Sequence, residues 1–114
     1  MKNLFGILSL VLLIVLSSNV FADQEWSSKV KVGEINAGYK EGFVVFSVLG
    51  TLHNPKNCSA NMYSVNIGSA DVNSVLLLLL SAQTRAADIQ VAVDTTKCGQ
   101  YGHAIVTRIK LLPL

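Results

Sequence analysis

The sequence predicts a mainly β, α+β fold: a small five-stranded barrel with one helix between strands three and four, and one disulfide. Three observations carry that expectation. Alternating or β-branched apolar runs recur five times after residue 28. The spacing of apolar residues turns helical once, between residues 72 and 87. The two cysteines, Cys58 and Cys98, flank that helical stretch.

Lys2 followed by the apolar run Leu4–Leu16 has the make-up of a secretory signal peptide. The run is about a dozen residues, too short for an ordinary membrane span. Val20-Phe21-Ala22 supplies small residues where a signal peptidase reads, so cleavage is expected after Ala22. Residues 1–22 are then a signal peptide, and residues 23–114 form a single domain with no stable membrane span. The protein is expected to be secreted or periplasmic. A domain this small has a marginal core and gains from a covalent staple. In an oxidising compartment, Cys58 and Cys98 are expected to pair.

Asp23 to Ser28 reads as a loose leading segment. The first strand runs from Lys29 to about Ala37. Its alternation slips at Gly33-Glu34 and restarts out of phase at Ile35, which points to a bulge. Asn36 to Gly42 is a turn or short loop. Phe43 to Leu49 is apolar on both faces and β-branched, a strand covered on both sides. Gly50 to Asn61 is a polar loop. Met62 to Ile67 alternates, with Tyr63, Val65 and Ile67 on one face.

Ser69 or Asp71 can cap a helix from Val72 to Ala87. Its apolar stripe is Val72, Val75, Leu76, Leu79, Ala82 and Ala86. Ile89, Val91 and Val93 mark a fourth strand, Thr95 to His103 a loop, and Ala104 to Leu112 a fifth strand. Three strands, a helix and two strands is the element order of the OB-fold, a five-stranded Greek-key barrel. An open α+β sandwich of similar size is the competing architecture.

Charge is close to balanced, with 9 Lys and Arg against 7 Asp and Glu. No basic stripe is visible, which argues against a nucleic-acid partner. No nucleophile-elbow motif accompanies the serines, and His53 and His103 lie in loops, so the chain is not expected to be an enzyme. His53, His103 and Asp94 lack metal-ligand spacing, and no metal or cofactor is expected.

A binding module fits better. In OB-folds the ligand face is flanked by the loop joining strands one and two and the loop joining strands four and five. Here those loops hold Tyr39 and Tyr101. A sugar offers a C–H face to an aromatic ring and hydroxyls to polar neighbours. Asn36, Lys40, Gln100 and His103 are near enough in sequence to supply those contacts. Ordinary half-buried loop packing remains the other reading of both tyrosines. Trp26 reads as the cover of a strand edge. Leu77 and Leu78 fall on the otherwise polar side of the helix. Either the helix is deeply embedded or that side meets another subunit.

The stretches GFVVFSVLGTLHNPKNC, SVLLLLLSAQTRAA, VAVDTTKC and AIVTRIKLL, taken with the leader, give an arrangement that resembles the B subunits of bacterial AB-type toxins. The nearest group is that of the subtilase-cytotoxin and pertussis-like B subunits, with similar small exported bacterial OB-fold proteins. The resemblance implies glycan or glycoconjugate binding and a ring of identical subunits with helices around a pore. It transfers no glycan-binding residue, so Asn36, Tyr39, Lys40, Tyr101 and His103 rest on the reading of the residues alone. The function expected is an exported, non-catalytic, glycan-binding module. The alternative is a structural or protein-interaction protein of the cell envelope.

Overall fold

The structure, a computed structural model, describes residues 24–114. The expected signal peptide and its cleavage site lie outside these residues. The described chain forms strands β1 (Gln24–Trp26), β2 (Val30–Asn36), β3 (Val44–Leu49) and β4 (Tyr63–Val65), helix α1 (Val72–Arg85), and strands β5 (Asp88–Cys98) and β6 (Ala104–Leu111). The fold is mainly β, with the six strands in one sheet. Two expectations are corrected. There are six strands where five were expected, and the helix follows the fourth strand where the third was expected. The difference is Gln24–Trp26, expected to be loose, which pairs antiparallel with Ala92–Asp94 of β5. Three residues carry no periodicity of their own, and only a partner distant in sequence makes them a strand.

Ser27 fastens that addition. Its N–H donates to the Val91 carbonyl at 2.8 Å, and its hydroxyl accepts from the Val91 N–H at 2.9 Å. The Ser27 carbonyl accepts from Gln90 Nε2 at 3.0 Å. A buried serine is tolerable here because its polar groups are bound.

Strand β2 pairs with β3 and with the start of β5, β3 with β4, and β5 with β6, all antiparallel. The β4–β6 pair is parallel. Followed from neighbour to neighbour, the pairings run β2, β3, β4, β6, β5 and back to β2. Strand β5 is long enough to serve β2 and β1 in succession along one edge while β6 occupies the other.

The bulge at Gly33-Glu34 is present. Val32 faces Val48 and Ile35 faces Phe46, so two residues of β2 oppose Ser47 alone. The bulge keeps its backbone groups bound: the Glu34 N–H donates to Ser47 Oγ at 2.8 Å and the Gly33 carbonyl accepts from Gln83 Nε2 of α1 at 2.7 Å. Its effect on phase matters most. Val30 and Val32 point into the core, and an unbroken alternation would send Glu34 and Asn36 after them. The extra residue turns Ile35 to the core instead.

The core lies between the sheet and α1, around Phe46, Tyr63, Val65, Leu79, Ile89 and Val91, all fully buried. Phe46 and Tyr63 pack with ring centroids 5.3 Å apart. Burial pushes the Tyr63 phenol above its ordinary pKa, partly offset by its bond to His53. Its hydroxyl accepts from the His53 N–H at 2.8 Å and donates to the His53 carbonyl at 3.1 Å.

Asp71 is the N-cap of α1 and accepts from the Ser74 N–H. Ser69, the other candidate cap, is engaged instead in a turn with Asn66. The helix ends at Arg85, two residues short of the expected end, because Ala86 is left-handed and closes the last turn through its N–H. Val75, Leu79 and Ala82 are buried as the helical stripe requires, whereas Ala86 is exposed. Ile67 also departs from expectation: β4 stops at Val65, and Ile67 is exposed in the following turn. Cys58 and Cys98 form the expected disulfide, with Cα atoms 5.6 Å apart. Among the described residues no helix is long and apolar enough to cross a membrane.

Candidate functional site

The face of the sheet opposite Phe46 and Tyr63 carries the site. Asn36 of β2, Val45 of β3, Ser64 of β4 and Ile105 of β6 stand opposite one another in register, so they share that face. Val45 is buried there although it points away from the core. Beside it stands the chain between β2 and β3. The Gly42 N–H bonds to the Tyr39 carbonyl at 2.9 Å, closing a turn with Lys40 and Glu41 at its centre. Gly42 has φ +80, a conformation glycine adopts without strain. This turn folds Tyr39 back over Phe43. The two rings stack with centroids 4.4 Å apart and planes 10° apart.

The second wall comes from the loop between β5 and β6. The Gly99 N–H bonds to the His103 carbonyl at 2.7 Å, and the Gly102 N–H to the Gly99 carbonyl at 3.0 Å. The Gly102 carbonyl accepts from the Ala60 N–H at 2.9 Å. Gly102 has φ +86, and a Cβ there would run into the Ser59 hydroxyl. The disulfide lies at the root of this loop and joins it to the loop before β4. So held, Tyr101 approaches Phe43, with centroids 5.9 Å apart and planes 36° apart. Phe43 therefore sits between two tyrosines drawn from separate loops.

Two adjoining hollows open along this aromatic wall. One, of about 530 Å³, is lined by Glu34, Asn36, Tyr39, Met62, Tyr101 and His103, with Val45, Glu41 and Phe43 completing it. The other, of about 330 Å³, shares Glu41, Phe43, Tyr101 and His103 and adds Ser64, Asn66, Ile67 and Gln100. Of the residues expected at the site, Asn36, Tyr39, Tyr101 and His103 meet in one hollow, and Gln100 lines its neighbour. Lys40 is the exception: it is exposed at the tip of the turn and lines neither. The turn that brings Tyr39 inward leaves Lys40 at its outer corner.

Phe43, Glu34, Glu41 and Met62 are lining residues that the sequence reading did not assign. The sequence places Phe43 at the start of a strand, whereas β3 begins at Val44 and Phe43 belongs to the chain before it. Its position four after Tyr39, across a Gly-ended turn, was the available signal. Glu34 carried a signal too, since a bulge at Gly33-Glu34 expels the residue that simple alternation would bury.

The remaining polar groups have other employment. His53 packs against Tyr63 through its backbone, and its buried Nε2 faces Glu25 Oε1 at 3.4 Å. Thr96 donates to Asp94 through hydroxyl and N–H, which holds that carboxyl below its ordinary pKa. Lys110 lies 4.7 Å from the centre of the Trp26 ring, which stays exposed on the edge strand β1. On α1, Leu77 is 69 % and Leu80 44 % exposed, whereas Leu78 is half-buried. The helix is thus not embedded on that side. Among the described residues no group of three His, Cys, Asp or Glu side chains is placed to hold a metal ion. No family model and no curated protein matches the chain.

Proposed function

We propose that this protein is an exported, non-catalytic binding module that takes a carbohydrate along the wall formed by Tyr39, Phe43 and Tyr101. The observation that carries this reading is the convergence of the two outer tyrosines on Phe43, with Asn36, Gln100 and His103 beside them. Exposed ring faces suit the C–H face of a sugar, and the amide and imidazole groups suit its hydroxyls. The circuit of pairings from β2 through β3, β4, β6 and β5 supports reading those strands as a closed OB-type barrel with β1 added. In such barrels this face and these two loops are the usual place for oligosaccharides. The leader-like residues 1–22 and the disulfide support export. The resemblance to toxin B subunits points to the same ligand class.

A glycan array probed with the purified, disulfide-bonded protein tests the proposal. Binding is expected, and Phe43→Ala should weaken it more than tenfold, because both tyrosines lose their support. Tyr39→Ala and Tyr101→Ala should each weaken it several-fold. An empty array, or binding indifferent to all three substitutions, refutes the reading.

A second reading, a cell-envelope protein that binds a protein partner or further copies of itself, is favoured by Leu77 and Leu80. These lie three apart, on one exposed face of α1 beside the half-buried Leu78. Light scattering distinguishes the outcomes. A ring that dissociates with Leu77→Ser supports self-association, and a monomer at high concentration excludes it.

A further inference from the structure

The charge on the walls of the aromatic cleft is one-sided. Glu34 and Glu41 both line the larger hollow, and Glu41 lines the smaller as well. Among the described residues no lysine or arginine lines either, and the nearest in sequence, Lys40, stands outside on the turn. Glu34 is held in place: its Oε2 accepts from Asn36 Nδ2 at 3.0 Å, and its own N–H is fixed by Ser47. The bulge puts it there by turning Glu34 out of the core phase. Both carboxylates are exposed.

The aromatic groups add a field of the same sign. Phe43 is flanked by its neighbours, which leaves Tyr39, 45 % exposed, and Tyr101, 57 % exposed, as the faces open to a ligand. The face of an aromatic ring is its negative side and attracts a cation. Two carboxylates and two ring faces around one hollow repel a sugar acid and attract an ammonium group. At about 4 Å through water each unit charge contact is worth roughly fivefold in affinity, and more where the ligand excludes water.

We infer that the cleft selects sugars bearing a protonated amine over neutral sugars, and disfavours acidic ones. This rests on the carbohydrate reading above and names its substrate class. The amine lies between the two glutamates, the C–H face of the ring against Tyr39 or Tyr101, and the hydroxyls toward Asn36 and His103.

Titration calorimetry with three oligosaccharides of matched length tests it. These are a glucosamine oligomer, its fully N-acetylated counterpart and a uronic-acid oligomer, at a pH where amine and carboxylates are all charged. The glucosamine oligomer should bind about tenfold tighter than the acetylated one, and the uronic-acid oligomer about tenfold weaker. Raising salt from low to about 0.5 M should shrink both ratios, since these contacts are open to solvent. In the Glu34→Gln, Glu41→Gln double variant the ratio of amine to acetylated oligomer should fall to about one. Both positions are exposed, and the salt dependence of the unaltered protein gives a readout that needs no variant. Uronic-acid binding equal to that of the acetylated oligomer, or an amine preference that survives salt and the double variant, overturns the inference and leaves the carbohydrate reading intact. If none of the three binds while other sugars do, the inference alone falls; if no sugar binds at all, both fall.

Discussion

Tyr63 shows how one side chain can serve the core and a loop together. Its ring is fully buried against Phe46, while its hydroxyl closes a two-way bond with the backbone of His53. The phenol's pKa is raised above 10.0, chiefly by burial. Above that value the unfolded chain sheds the proton first, and the folded chain keeps it. The contribution to stability is thus complete below the unfolded pKa and is lost as pH rises through the folded one. Urea unfolding between about pH 8 and about pH 11 should show a fall in stability at the alkaline end that Tyr63→Phe lacks. The same substitution should cost about 1–2 kcal/mol at neutral pH, since it strands the N–H and carbonyl of His53. Phe43 is the matching case on the outer face, where a single ring carries two others. Neither residue's role is written in its neighbours, because Tyr63 answers to a loop ten residues back and Phe43 to a hairpin near the end of the chain.

Among the elements, β2 and α1 govern the site. The bulge in β2 decides that Ile35 faces inward, which leaves Glu34 and Asn36 for the cleft. A Cβ at Gly33 would crowd Ser47 Oγ, the acceptor for the Glu34 N–H. Gly33→Ala should therefore cost about 1–2 kcal/mol by chemical denaturation. The cost should shrink in a Ser47→Ala background, where the closest contact is gone and the Ser47 carbonyl at 3.3 Å is the nearest atom left, and a double-mutant cycle reads the difference. The opposite change is expected at the end of α1. Ala86 has φ 52 and ψ 37, a conformation that costs an alanine more than a glycine. Ala86→Gly should raise stability by about 1 kcal/mol in the same measurement. The carbonyl of Ala86 accepts from Lys31 Nζ, which also meets Asp88 at 3.0 Å. Much of this was legible beforehand. The slip in alternation at Gly33-Glu34 revealed the bulge, and the change from a period of two to a helical one revealed α1. Its end two residues early was not legible, since a left-handed alanine has no compositional mark.

At the scale of the molecule, the disulfide joins the base of the loop that carries Tyr101 to the loop before β4. Cys58 and Cys98 are 40 residues apart in sequence, a span whose closure removes about 4 kcal/mol of unfolded-chain entropy in the chain-entropy account. Reduction, or Cys58→Ser with Cys98→Ser, should lower stability by about that amount, measured by urea titration with and without reductant. It should also loosen the loop carrying Tyr101 and His103. Ligand affinity is then expected to fall under conditions where circular dichroism still reports a folded sheet, because the site depends on loops and the core on strands.

What the sequence determined by itself was whatever is encoded at short range: the alternation in the strands from Val30 onward, the bulge, the helix that starts at Val72, and two cysteines suited to pairing. These patterns are local because burial is imposed residue by residue along each strand or helix. Only the tertiary structure decided that Gln24–Trp26 is a sixth strand, that Ile67 and Leu80 are exposed, that Lys40 stands outside the cleft, and that Phe43 joins Tyr39 to Tyr101. The sixth strand and the place of Phe43 depend on partners tens of residues away in sequence, and no window of neighbouring residues contains them.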